Sequence, residues 1–268
     1  MTSLRQTQID WPSYLAAFHA QRPGITQAVL ERSHNHGRNP YQQLLESIDH
    51  NGRILDLACG SAPTRSMHAN RWVGLDTSIA ELTAARDSGA DTLVLGDATR
   101  LPFGDGTFDT VICAMALMLI TPTQPALREI ARVQREAGTL HVLLPATKPL
   151  SWTDRTRYIR LAGSLRATPQ FPTSSLDHNA PHALSEAGYT ITSDQRRRYR
   201  YPITTIEDAN RFVNSLYLPN TTPRQIQRAT AQAERWRGHE IGIPVRTITA
   251  FRNDTRTRPR RSSVLVVG

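Results

Sequence analysis

Three aspartates frame the chemistry open to this sequence. Asp56, Asp76 and Asp97 lie within or just beyond short apolar runs, twenty and then twenty-one residues apart. A carboxylate at the end of a buried strand offers two acceptor oxygens, which suits paired hydroxyls or an amino group. Between the first two acids, "ACGSAPT" (58–64) reads as a tight turn that keeps one glycine, Gly60, with Ala58 and Ala62 on either side. A pyrophosphate would need glycines at three turn positions, so that it can approach the backbone and the following helix start. Here those positions hold Ala58, Gly60 and Pro63. A dinucleotide fits poorly, whereas a nucleoside without phosphates needs close approach only at Gly60. Each acid also has a bland reading as a helix cap or turn residue. Asp105, in a Gly-Asp-Gly turn, and Asp109, before a strand, are assigned to it.

The elements that would position these residues follow from hydrophobic patterning. Ile54–Leu57, Trp72–Leu75, Thr92–Leu95, Thr110–Ala114 and Thr139–Leu144 are apolar runs of strand length. Helical stretches such as 79–88 and 124–136 separate them, which argues for a parallel sheet covered on both faces. Ahead of them, residues 11–32 read as two short helices broken at Pro23-Gly24, and 41–48 as another. Beyond Pro145 the pattern predicts helices at 154–165, 181–187, 206–218 and 223–239, and a strand at 189–192. Both 247–250 and 263–267 read as strands, one of which closes the sheet.

The blocks "LDLACGS", "VGLD" and "LVLGDATRLPFGDGTFDTVIC" together resemble the class I S-adenosylmethionine-dependent methyltransferases, in their small-molecule (type 11-like) branch. The resemblance covers roughly residues 50–145. It implies an α/β fold: a Rossmann-like, doubly wound, mostly parallel seven-stranded sheet. An N-terminal helical cap (1–50) precedes the cofactor-binding half (51–145). A substrate-side half (146–268) follows, with a helical insertion before the last strand. The implied cofactor is S-adenosyl-L-methionine. The turn from Asp56 through Ala58, Gly60 and Ala62 would face its methionine and ribose, and Asp76, with Thr77 beside it, the ribose hydroxyls. Asp97 and the Ala98 backbone would read adenine, with Leu101 and Phe103 walling the ring or packing beneath it. Ala114 and Met115 would lie near the reacting methyl group, and Arg22 would meet the methionine carboxylate.

Methyl transfer demands alignment more than a fixed catalytic set, and the sequence shows no such set. His19, His178 and Tyr201 are the candidates for a base or polar clamp, with His182 and Tyr199 behind them. No metal site is expected: His34 and His36 form a lone H-x-H pair that reads as a loop. The stretch after the fourth strand, "CAMALMLITP", lacks the motif of nucleobase amino-methylation, and Cys113 lies inside an apolar run. These features favour a small organic acceptor methylated at O, N or C. An RNA methyltransferase is the rival, drawn from "QRRRYRYP" (195–202) and "RTRPRR" (256–261). A non-catalytic cofactor-binding regulator or partner subunit is the other, drawn from the alanine-substituted turn.

Charge is unevenly placed. Residues 1–150 carry 13 Lys+Arg against 14 Asp+Glu, and residues 151–268 carry 19 against 9. A basic half can signal an anionic partner. Since Lys148 is the only lysine, a preference for arginine at every solvated cation accounts for it as well. The longest apolar run, 111–120, is too short to span a bilayer, and the N-terminus has no apolar signal region. A cytoplasmic protein without a membrane partner is expected, with Cys59 and Cys113 as reduced thiols.

Overall fold

The computed structural model describes residues 9–49, 52–65 and 71–253. Three helices come first: α1 (Trp11–Gln21), α2 (Ile25–Arg32) and α3 (Pro40–Leu45). Strands and helices then alternate through β1 (Ile54–Leu57), β2 (Trp72–Asp76), α4 (Ile79–Asp87), β3 (Leu93–Leu95), β4 (Phe108–Ala114), α5 (Thr123–Val133) and β5 (Gln134–Pro145). The remainder comprises α6 (Trp152–Leu165), α7 (Leu176–Glu186), β6 (Tyr189–Ile203), α8 (Ile206–Asn214), α9 (Pro223–Glu234) and β7 (His239–Arg252). The strands form one seven-stranded sheet in the order β3-β2-β1-β4-β5-β7-β6. β1 pairs in parallel with both β2 and β4, while β7 runs antiparallel to β5 and β6. This is the doubly wound, Rossmann-like sheet expected from the sequence, and its order reverses at β1 and β4.

Strand parity sorts side chains to the two faces. Leu55 and Leu57 pack with Ala126, Leu127 and Ile130 of α5 and Leu184 of α7, whereas Ile54 packs with Tyr41 and Leu44 of α3 and Leu82 of α4. Burial on both faces explains why the central strands read as unbroken apolar runs. A third cluster lies at the projecting ends of β6 and β7, where Tyr201, Ile203 and Ile241 meet Leu161, Phe212 and Trp236.

Several elements differ from expectation. β6 runs fifteen residues rather than four, because its "YRY" alternates: Tyr199 and Tyr201 are fully buried while Arg200 between them is exposed. α7 begins at Leu176, ahead of Pro181, because Leu176, Ala180 and Leu184 form a buried i, i+4, i+8 stripe that outweighs one missing N–H. The 247–250 run belongs to β7; the competing 263–267 run lies outside the described residues, as does "RTRPRR". Among the described residues no helix is long and apolar enough to cross a membrane.

Asp154 locks α6 onto this frame. It is buried, accepts from Ser151 N and Oγ at 2.9 and 2.6 Å and from Gly242 N at 2.7 Å, and pairs with Arg198 at 2.6 Å. These donors hold its carboxyl well below the usual carboxylate range, against the opposing effect of burial. Asp154→Asn keeps the shape but removes the charge that Arg198 requires. Urea denaturation should show a loss of about 3 kcal/mol, the low end for breaking a buried pair, because Arg198 can partly rehydrate.

Candidate functional site

The turn after β1 is built from residues with alternating left-handed backbone: Ala58 (φ 52°), Gly60 (φ 53°) and Ala62 (φ 65°). Within it Cys59 N donates to Leu75 O at 3.0 Å and Ala62 N to Cys59 O at 2.9 Å. Gly60 N donates to Asp76 Oδ2 at 2.9 Å, while Asp76 Oδ1 accepts from Ser78 N at 2.8 Å. Asp76 thus ties the turn to the start of α4. Burial raises its carboxyl above the ordinary value, and these two N–H donors oppose the shift.

Above the turn, α1 and α2 form a roof held by a residue that sequence reasoning passed over. Glu81 is buried; its Oε2 accepts from Gly24 N at 2.9 Å and its Oε1 meets His19 Nδ1 at 2.8 Å. Gly24 has φ 70°, and a Cβ there would come within 3.0 Å of Ser61 Oγ, so this link tolerates little but glycine. His19 Nε2 lies 3.3 Å from the Tyr217 hydroxyl. With Nδ1–H donating to the carboxylate, Nε2 is the acceptor, and Glu81, His19 and Tyr217 form one polar chain. Phe18 packs on Tyr217 at 4.5 Å, anchoring α1.

Roof and turn enclose a cavity of about 870 Å³. Among the expected residues, Ala58, Gly60, Asp76, Thr77, Asp97, Ala98, Ala114, Met115 and His19 line it. Asp97 Oδ1 accepts from Thr99 N at 2.7 Å, which fixes the loop that carries it. Tyr41, Tyr217 and Glu81 also line the wall, and its outer part is apolar, with Trp11, Leu15, Leu119 and Ile120. Asp76, Glu81 and Asp97 supply carboxylates. Among the described residues no arginine or lysine reaches the wall. Such a site favours a cation and disfavours a polyphosphate.

The other expected residues stand elsewhere. Asp56 shares strand parity with Ile54 and is buried under the turn, accepting from Thr64 Oγ1, which in turn accepts from Trp72 Nε1 at 3.1 Å. Ala62 is buried in the core cluster of α3 and α4. Arg22 lies past the end of α1, over the Phe18 ring at 5.1 Å, with Nη1 donating to Asn214 O, so it faces away from the cavity. His178 is exposed on α7, and Tyr201 donates to Asp208 O inside the third core cluster. His182 is exposed beside Glu186, and Tyr199 is buried against Gln43. Leu101 is buried, and Phe103 packs edge-on against Phe108 at 4.9 Å, so both sit beneath the site rather than in its wall. His34 sits in a β-bridge with Arg200, and no metal-binding cluster occurs among the described residues. Cys59 and Cys113 are free and buried.

Residues 55–142 match the family model of a methyltransferase domain. A demethylmenaquinone methyltransferase of Mycolicibacterium vanbaalenii is 33% identical over 177 residues, covering 56% of this chain and 76% of that protein. The chain belongs to the class I S-adenosylmethionine-dependent methyltransferases. A demethylmenaquinone methyltransferase of Mycolicibacterium paratuberculosis is 36% identical over 127 residues, or 46% of this chain; the chain spans about half of that relative's length (54%). Among solved structures, a proposed methyltransferase of Bacillus halodurans superposes with TM-score 0.55 at 18% identity, covering 80% of this chain and 99% of that one. The cyclase SpnF superposes with TM-score 0.54 at 17% identity, covering 89% and 95%. At these identities the likeness is one of fold, and it joins proteins described by different activities.

Two predictions concern the turn. A left-handed alanine costs about 1 kcal/mol more than glycine. Ala58→Gly should therefore raise stability by about that amount in urea denaturation. Ala62→Gly should be nearly neutral, because it also removes a buried methyl worth about 0.8 kcal/mol. The second prediction concerns Asp56, whose carboxyl burial pushes up to about 7, with the Asp76 charge adding to the shift against hydrogen bonds from Thr64 and Trp72. The unfolded carboxyl titrates near 4. Between these values the folded chain keeps a proton that the unfolded chain has released, so Asp56 lowers stability as pH rises from about 4 to 7. Asp56→Asn stays neutral. Its denaturation midpoint relative to wild type should climb across that window and level off above it.

Proposed function

We propose that the protein transfers a methyl group from S-adenosylmethionine to a small apolar acceptor bound in this cavity. The observation that carries the reading is the carboxylate-lined cavity at the carboxyl ends of β1, β2 and β4, whose wall among the described residues holds no arginine. The residues present fit the cofactor. Asp76 offers acceptor oxygens for ribose hydroxyls, Asp97 and Ala98 border a slot for adenine, and the negative wall suits a ligand bearing sulfonium and ammonium charges. When bound, S-adenosylmethionine supplies an electrophilic methyl group.

The chain's own part is to orient the acceptor, exclude water and accept a proton. Trp11 and Leu15 on the roof helix α1, with Leu119 and Ile120, give the acceptor an apolar wall. His19, fixed by Glu81, directs Nε2 toward the Tyr217 hydroxyl and is the group placed to take the acceptor's proton, directly or through Tyr217. Demethylmenaquinone, the substrate named for the mycobacterial relatives, is an apolar compound of the class this wall suits, and it is the first acceptor to assay. The RNA reading loses its basis on β6. Arg196, Arg198 and Arg200 pair with Asp177, Asp154 and Glu240, and Tyr199 and Tyr201 are buried.

Calorimetric titration with S-adenosylmethionine tests the cofactor reading. Binding should be micromolar in wild type and lost in Asp76→Ala; failure of clean wild type to bind sinks it. With an accepted substrate, His19→Gln should hold cofactor affinity within a few-fold and lower kcat about 10²–10⁴-fold. A fall in kcat with cofactor affinity held is what separates this role from a merely structural one.

A further inference from the structure

α6 and α9 present an outer face that the cavity does not use. On α6, Trp152, Arg155, Ile159 and Arg160 follow at i, i+3, i+7 and i+8, and all are exposed. Trp152 is 81% and Ile159 71% accessible, the two most exposed large apolar residues among those described. The Arg155 guanidinium lies over the Trp152 indole at 5.4 Å. The acid of α6, Asp154, is buried on the opposite side and satisfied by Arg198. α9 packs beside α6; its exposed positions include Arg224 and Arg228, and the exposed Arg235 follows its last residue. Arg166, just past the end of α6, shares one shallow cleft with Arg224 and Arg228. None of these arginines forms an ion pair within 4.0 Å among the described residues, unlike Arg196, Arg198 and Arg200 of β6.

The geometry points to this face as a docking surface for an anionic lipid bilayer. An indole and an isoleucine held out in water among unpaired arginines form the pattern of a helix that lies in a membrane interface, with apolar side chains entering the acyl boundary and guanidinium groups at the phosphates. Charge complementarity selects anionic over neutral lipid. A polyanion such as RNA would use the arginines, but it would leave Ile159 without a partner. Hydropathy along the chain detects only spanning segments, which is why the sequence predicts no membrane partner. The inference is independent of methyl transfer.

The test is flotation of the full chain with phosphatidylcholine vesicles, with and without phosphatidylglycerol. Binding should require phosphatidylglycerol and fall as salt rises. Each arginine contributes about fivefold, so Arg155→Gln/Arg160→Gln/Arg228→Gln should weaken binding about a hundredfold. These side chains are exposed and unpaired, so the fold is not at stake. Tryptophan emission should shift to the blue on vesicles in wild type and lose most of that shift in Trp152→Phe. Absence of binding to anionic vesicles at low salt overturns the proposal. So does full binding by the triple variant, which would place the contact elsewhere, or capture of RNA where vesicles are ignored.

Discussion

The cavity depends on a carboxylate buried without a guanidinium. Glu81 lies at the third position of α4, where an acid usually folds back on the helix's own first amides. That option is closed, because the Ser78 amide is already held by Asp76. Glu81 is therefore free to reach upward, and it takes the Gly24 amide and His19 instead. Its charge is balanced by two donors and by the positive end of α4. The same connection runs downward through Asp76 to Gly60. Turn, second strand, fourth helix and roof are thereby joined through two acids, and a change at either loosens the enclosure as a whole.

The sheet was legible in the sequence because burial on both faces leaves unbroken apolar runs, and because Asp76 and Asp97 stand where those runs end. The rest was hidden for reasons that differ from residue to residue. Asp56 has the right spacing, but strand parity turns it beneath the turn, and parity is fixed only once the packing of Ile54 is known. Arg22 lies one turn of chain beyond His19, yet the end of α1 swings it over Phe18. Glu81 reads as an ordinary helix-start acid, since nothing local says that its usual partner is taken. Tyr217 falls in the run 206–218 that reads as one helix, but α8 ends at Asn214, and the chain that follows packs Tyr217 against Phe18 at the cavity wall. β6 disguises itself as a basic tract because its outward positions are arginine. Its strand character rests on the tyrosines alone.

The two alanines in the turn show how a binding backbone can be held without glycine. Each methyl adds backbone strain at positive φ, but each also narrows the unfolded ensemble, and Ala62 contributes packing in the α3–α4 core. The result is a turn whose amides are fixed by Asp76 and by burial rather than by permissive residues. Close approach is needed at Gly60 only. This is compatible with a nucleoside and not with a pyrophosphate, which would press on Ala58 and Pro63 as well.

Arginine in the second half of the chain has two separate physical roles, and composition cannot distinguish them. On β6 each outward guanidinium lies near an acid. Arg246, also in this half and almost fully buried, is held by Asp194 at 2.6 Å. Those charges are internal cement, and their sum says little about partners. On α6 and α9 the arginines have no acid to answer them, although aspartate and glutamate are available to evolution at every neighbouring surface position. Unpaired like charges repel, so a cluster of them beside exposed tryptophan and isoleucine raises the energy of the isolated fold. Such a surface is stable in isolation only because water and salt screen it, and it becomes favourable only against an anionic, partly apolar surface. The cavity has the opposite sign. A protein whose ligand site is negative and whose outer helical face is positive can hold a cationic cofactor and an anionic interface together wherever the two lie more than a screening length, about 8–10 Å, apart.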